Sequence, residues 1–263
     1  MPNTIFVESS VNIDSAVALG QYLFNERLIT VISEFHMNSF QCAKPSITIS
    51  EYCATRLKEN NNALVLLEYN KGNSPLVIDS DVIKDTFSRI QSDSNTDRIR
   101  PVDYRSSFIG HFGQQALYNG GMRNFTYQEI DDRLINPFFM NMAYFELPSC
   151  MFSPNVIKFL YSYVEKIKIE LENLRDNIES LCGEDIEQRL KDVWMKVMDY
   201  FILREVFNNG NPPNFDSNEC IIVVGDSHRK NLQKVFRDVS LNKLNEQEGS
   251  ATSCVNLFST YTI

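Results

Sequence analysis

The chain has 263 residues, of which 43% are hydrophobic and 22% charged, a balance that excludes a disordered tail and a fibrous repeat. Its 34 acidic against 25 basic side chains give a net charge of −9, which excludes a general electrostatic attraction to nucleic acid or to an anionic membrane surface. The length suits one α/β domain, and we expect residues 1–263 to form it, with residues 106–213 as a mostly helical insertion able to act as a lid.

Taken in chain order, Thr4 to Glu8 is a weak strand. Asp14 to Asn25 places Ala16, Val17, Leu19, Tyr22 and Leu23 at near-helical spacing and predicts a helix. Short apolar runs at Leu28 to Ile32, Ala63 to Leu67, Ile99 to Tyr104, Cys220 to Val224 and Val255 to Phe258 predict strands. Helices are expected over Ile47 to Lys58 and over Val82 to Ile90, the second after the capping stretch Asp79-Ser80-Asp81. The alternation predicts an α/β fold with a largely parallel central sheet flanked by helices. Phe108 to Met151 is rich in Phe, Met and Tyr, the composition of a core or of an apolar pocket. Ser153-Pro154 then opens a long amphipathic helix carried by Val156, Leu160, Val164, Ile167, Leu171, Leu174 and Ile178, and a second follows the break at Cys182-Gly183. Together they predict an αα-hairpin inserted before the penultimate strand, whose outer face over residues 154–207 is also the expected surface for a protein partner.

The amino terminus lacks a basic segment followed by a long apolar one, and no apolar run reaches the roughly 18 to 20 residues that span a bilayer. The expectation is a soluble, cytoplasmic protein with no membrane partner. Six scattered cysteines without a C-x-x-C pair argue against a structural zinc site and read as free thiols.

In open parallel sheets, ligands bind beyond the carboxyl ends of the strands. The strand ends here are Ser33-Glu34-Phe35-His36, Glu68-Tyr69-Asn70, Asp103-Tyr104-Arg105 and Gly225-Asp226-Ser227-His228. Two of the three histidines, His36 and His228, thus fall at one edge of the sheet with Glu34 and Glu68. Imidazole beside carboxylate can supply a general base with an orienting acid, or hold a divalent metal ion through His36, Glu68 and His228. Arg105 would attract an anionic substrate or intermediate. The third histidine, His111, reads as a packing or surface residue.

Ser33-Glu34-Phe35-His36 resembles the Gly-Glu-x-His motif of the superfamily that groups erythromycin esterases, ChaN-like haem-binding lipoproteins, TraB proteins and TIKI metalloproteases, with Ser33 standing in place of the glycine. Gly225-Asp226-Ser227-His228 is similar to that superfamily's later Gly-x-x-His motif. Glu68 and Asp103-Tyr104-Arg105 match its strand-end Glu and Asp-x-Arg. The resemblance implies a hydrolase in which water attacks an ester or amide of a small molecule or peptide, with His36 and His228 as bases or metal ligands, Glu34 and Glu68 as orienting or ligating carboxylates and Arg105 as an electrostatic clamp. A divalent metal ion is the implied cofactor, with haem as the alternative. A different class also stays open: a catalytically inactive relative that serves as a binding or structural component, for example of a viral particle. Gly225-Asp226-Ser227 further resembles the block of the SGNH hydrolases, but no histidine follows His228 to complete that family's base.

Overall fold

The computed structural model describes residues 4–34, 42, 46–70, 80–92, 96–118, 122, 125–208, 218–248 and 255–262. They fall into two compact units, one made of residues 1–69, 73–101 and 212–263, the other of residues 70–72 and 102–211.

The first unit carries two sheets. In the smaller, β1 (Thr4–Asp14) pairs in parallel with β4 (Ser46–Thr48) and antiparallel with β9 (Val255–Thr262). Ser15, at φ 66°, then turns the chain out of β1 into β2 (Ala16–Phe24) of the larger sheet. β2 corrects the helix expected over Asp14 to Asn25. Its residues are buried on both faces, so their apolar spacing mimics a helix, but β2 forms a hairpin with β3 (Arg27–Glu34) through Asn25 and Glu26, both at positive φ. The sheet order is β6 (Ile99–Asp103), β5 (Ala63–Asn70), β7 (Glu219–Gly225), β3, β2, β8 (Asn242–Glu248). β5–β7 and β7–β3 are parallel, whereas β3–β2 and β2–β8 are antiparallel. The architecture is therefore α/β with a mixed, mostly parallel six-stranded sheet flanked by helices. No helix among the described residues is long and apolar enough to cross a membrane.

Helices cover both faces of this sheet. On one, Ile32, Val65, Leu67, Ile221 and Val223 pack against α1 (Ile49–Glu59) and α2 (Asp81–Ser92) through Ile49, Cys53, Leu57, Ile83 and Ile90. α1 begins at Thr48, whose side chain and that of Glu51 cap each other's backbone, and Ser80 caps α2 by accepting the Ile83 N–H. On the other face lies α8 (Asp226–Asp238), with Phe236 edge-on to Tyr22 of β2. Arg56 of α1 grips Glu219 of β7 bidentately, at 2.9 and 2.8 Å. Cys42 is disulfide-bonded, a departure from the expectation of free thiols, whereas Cys53, Cys150, Cys182 and Cys220 are free.

The second unit is helical: α3 (Arg105–Tyr118), α4 (Tyr127–Ile130), a π-helical turn at Asp131–Ile135, α5 (Asn136–Met140), α6 (Pro154–Asn177) and α7 (Gly183–Phe207). α6 and α7 form the expected hairpin, and Ser153 caps α6 with Pro154 in its first turn. Phe108, Phe138, Phe145, Trp194, Tyr200 and Phe201 make an aromatic core in which the two polar tips are satisfied: Trp194 donates to the Leu134 carbonyl and Tyr200 to that of Phe145. The aromatic stretch is thus largely core, although Met140 is 83% exposed.

Candidate active site

Register sets which strand-end residues meet. β7 lies between β5 and β3, with Leu67 opposite Val223, Ser33 opposite Val224 and Glu34 opposite Gly225. Side chains alternate between the faces of a strand. Ile32, Leu67 and Val223 belong to the core under α1 and α2, so Glu34 faces that side as well. Glu68, Val224 and Ser33 form a cross-strand row on the opposite face, beneath α8. The pleat therefore separates the two expected carboxylates, a distinction that strand-end position alone does not reveal.

On the α8 side, the chain passes from β7 directly into the helix. Gly225 is the N-cap residue, has extended backbone angles and has no side chain with which to cap. Glu68 of the neighbouring strand takes up the exposed donor, its Oε2 accepting the Gly225 N–H at 2.6 Å. Its other oxygen, Oε1, lies 3.5 Å from Nε2 of His228, the third residue of α8. Both side chains are buried, at 10% and 6% exposure. The carboxylate sits at the amino-terminal end of α8. The structure thus brings together Glu68 and His228 of the sequence-predicted residues.

The others are placed differently. Glu34 is 2% exposed, on the face of α1 and α2. His36 lies outside the described residues, as does the side chain of His111. Arg105 belongs to the second unit, where its guanidinium binds Asp103 bidentately, Nε to Oδ1 and Nη2 to Oδ2, both at 2.8 Å, while its backbone N–H donates to the same carboxylate. A guanidinium held by a carboxylate two residues away is largely neutralised, which weakens the case for Arg105 as an anion clamp. Among the described residues, no group of three or more His, Cys, Asp or Glu is arranged to hold a metal ion.

Two features at the start of α8 escaped sequence reasoning. The Gly225 amide is one; the signal for it was a strand-to-helix junction with no capping side chain. The other is Arg229, 1% exposed, which donates to Asp226 and Gln233 and reaches Glu248 of β8. Burial alone would raise the Asp226 pKa, but hydrogen bonds from Lys230 and Arg229 hold it below the usual carboxylate range.

No family model, curated protein or solved structure matches this chain.

Proposed function

We propose that this chain is a hydrolase of the erythromycin esterase, ChaN, TraB and TIKI type, in which His228, oriented by Glu68, activates water for attack on an ester or amide of a small molecule or peptide. The observation that supports this reading is the Glu68 carboxylate stretched between the Gly225 amide and His228 at the carboxyl edge of the sheet. The amide immobilises Oε2. Oε1 faces Nε2 at 3.5 Å and would accept its proton as the ring closes on it, which leaves Nδ1 as the nitrogen to take the proton as water adds to the carbonyl carbon. Glu68 stabilises the resulting imidazolium, which returns the proton to the departing alcohol or amine.

The superfamily also implies a divalent metal ion. Oε1 of Glu68 and Nε2 of His228, 3.5 Å apart, are a carboxylate and an imidazole, donor types that such an ion takes. Glu68 and His228, with His36 as the expected third ligand, would hold the ion, which would lower the pKa of bound water.

The test is hydrolysis of a panel of small esters by the parent, His228→Ala and Glu68→Gln, with and without chelator. The reading expects turnover by the parent and loss on the order of a hundredfold or more in His228→Ala. Equal rates in all three proteins would refute it.

A further inference from the structure

Cys42 is disulfide-bonded, whereas Cys53, Cys150, Cys182 and Cys220 are free. The chain has six cysteines, so elimination within it leaves Cys254, which lies outside the described residues. Register leads independently to the same position. Cys42 Sγ lies 3.4 Å from the carbonyl oxygen of Ile13 in β1. Ile13 is paired with Val255, the first residue of β9, and residue 254 is joined to Val255 by one peptide bond. Opposed residues of an antiparallel pair stand about 4.5 to 5.5 Å apart between Cα atoms, and chain neighbours about 3.8 Å. Chain connectivity therefore keeps position 254 close to the Ile13 carbonyl against which Cys42 rests, within the span over which a disulfide joins two backbones. Cys42 is itself held in place: Asp14 accepts its backbone N–H through Oδ1 at 2.7 Å and the Ser46 hydroxyl through Oδ2 at 3.3 Å.

We infer that Cys42 and Cys254 form a disulfide that staples the smaller sheet, joining the chain ahead of β4 to the start of β9 across the end of β1. Backbone pairing alone holds that sheet weakly, because β4 contributes three residues and the β1–β9 ladder shifts register between Val7 and Val11. The link forms by thiol–disulfide exchange with a disulfide donor, the chemistry of oxidising compartments. One cysteine thiolate attacks a donor sulfur and displaces the other donor sulfur as a thiolate. The second cysteine then attacks the mixed disulfide, and the donor leaves as two thiols that carry the two electrons and the two cysteine protons. The remaining cysteines do not compete for Cys42. Cys53 and Cys220 are fully buried, and burial pushes the Cys53 thiol up, away from the reactive thiolate. Cys150 and Cys182 belong to the other unit.

The measurement is peptide mass spectrometry on protein prepared without reductant, unfolded in urea with N-ethylmaleimide and digested unreduced. Maleimide is expected on Cys53, Cys150, Cys182 and Cys220, with one linked peptide pair joining Cys42 to Cys254. If the chain is isolated reduced, glutathione disulfide added to the folded protein closes the same link and releases two glutathiones in doing so. Cys42 linked to any other cysteine overturns the inference. So do Cys42 and Cys254 that each still carry maleimide or glutathione after that oxidation, and neither result needs a variant to fold. Reduction with dithiothreitol frees a loop of about 210 residues and lowers the melting midpoint by on the order of 10 °C, and Cys42→Ser gives the same shift without reductant. A midpoint unchanged by reduction overturns the stapling role.

Discussion

Replacing Glu68 separates its two bonds. In Glu68→Ala the Gly225 N–H loses a 2.6 Å acceptor at a helix start that has no other cap, and His228 loses the carboxylate facing it. A charge-assisted hydrogen bond contributes about 1.5 to 3 kcal/mol, so the expected loss is about 2.5 kcal/mol, nearly a hundredfold in the folding equilibrium. With a urea dependence of about 2.5 kcal/mol per molar, the midpoint falls by about 1 M. Glu68→Gln keeps an oxygen for the Gly225 amide and forfeits only the charge, a loss of about 1 kcal/mol and a midpoint shift of about 0.4 M. Urea titrations followed by far-ultraviolet circular dichroism give both values. If the glutamine variant proves as unstable as the alanine variant, or if neither shifts, Glu68 is not the cap of α8.

Thr30 is fully buried and its hydroxyl has no hydrogen-bond partner among the described residues. The near-isosteric Thr30→Val should therefore stabilise by about 1 kcal/mol and raise Tm by about 2 to 4 °C in calorimetry; a fall in Tm would show that the hydroxyl is bonded. At alkaline pH the Tyr22 phenol matters, pushed up to about 12 by burial and then by the Glu246 carboxylate. A raised folded pKa contributes stability that is fully present below the unfolded value near 10 and is lost as pH rises toward 12. Between pH 10 and 12 the stability of Tyr22→Phe should fall less steeply than that of the parent, and parallel curves would contradict the assignment.

How much of this was readable beforehand depended on whether a signal was local. β3, β5 and β7 are buried on both faces and read as unbroken apolar runs, the pattern of a parallel sheet interior. The same double burial hid β2, whose Ala16, Val17, Leu19, Tyr22 and Leu23 lack a period of two, and its hairpin turn uses Asn25-Glu26 without the usual glycine. β8, Asn-Lys-Leu-Asn-Glu-Gln-Glu, is an edge strand whose polarity guards against pairing with other chains and also makes it look like a loop. At the site, strand ends were sufficient to find Glu68 and His228. The placing of Glu34 on the other face depended on register, a long-range quantity that no short motif carries. The commitment of Arg105 to Asp103 was written two residues away.

The order of strands has a consequence for synthesis. The helical unit is nearly continuous, residues 102–211, and is complete before the sheet can close, because β7, the strand between β5 and β3, emerges about 150 residues after β5. At ribosomal rates of about 5 to 20 residues per second, β3 and β5 wait on the order of ten to thirty seconds with their inner edges unpaired. The β2–β3 hairpin forms in microseconds and shields one edge of β3, but nothing made by then occupies the place of β7. The candidate site shares that delay: Glu68 is made early, whereas Gly225 and His228 arrive with β7 and α8, so the site is assembled by the last segment of the sheet to be made that reaches its centre.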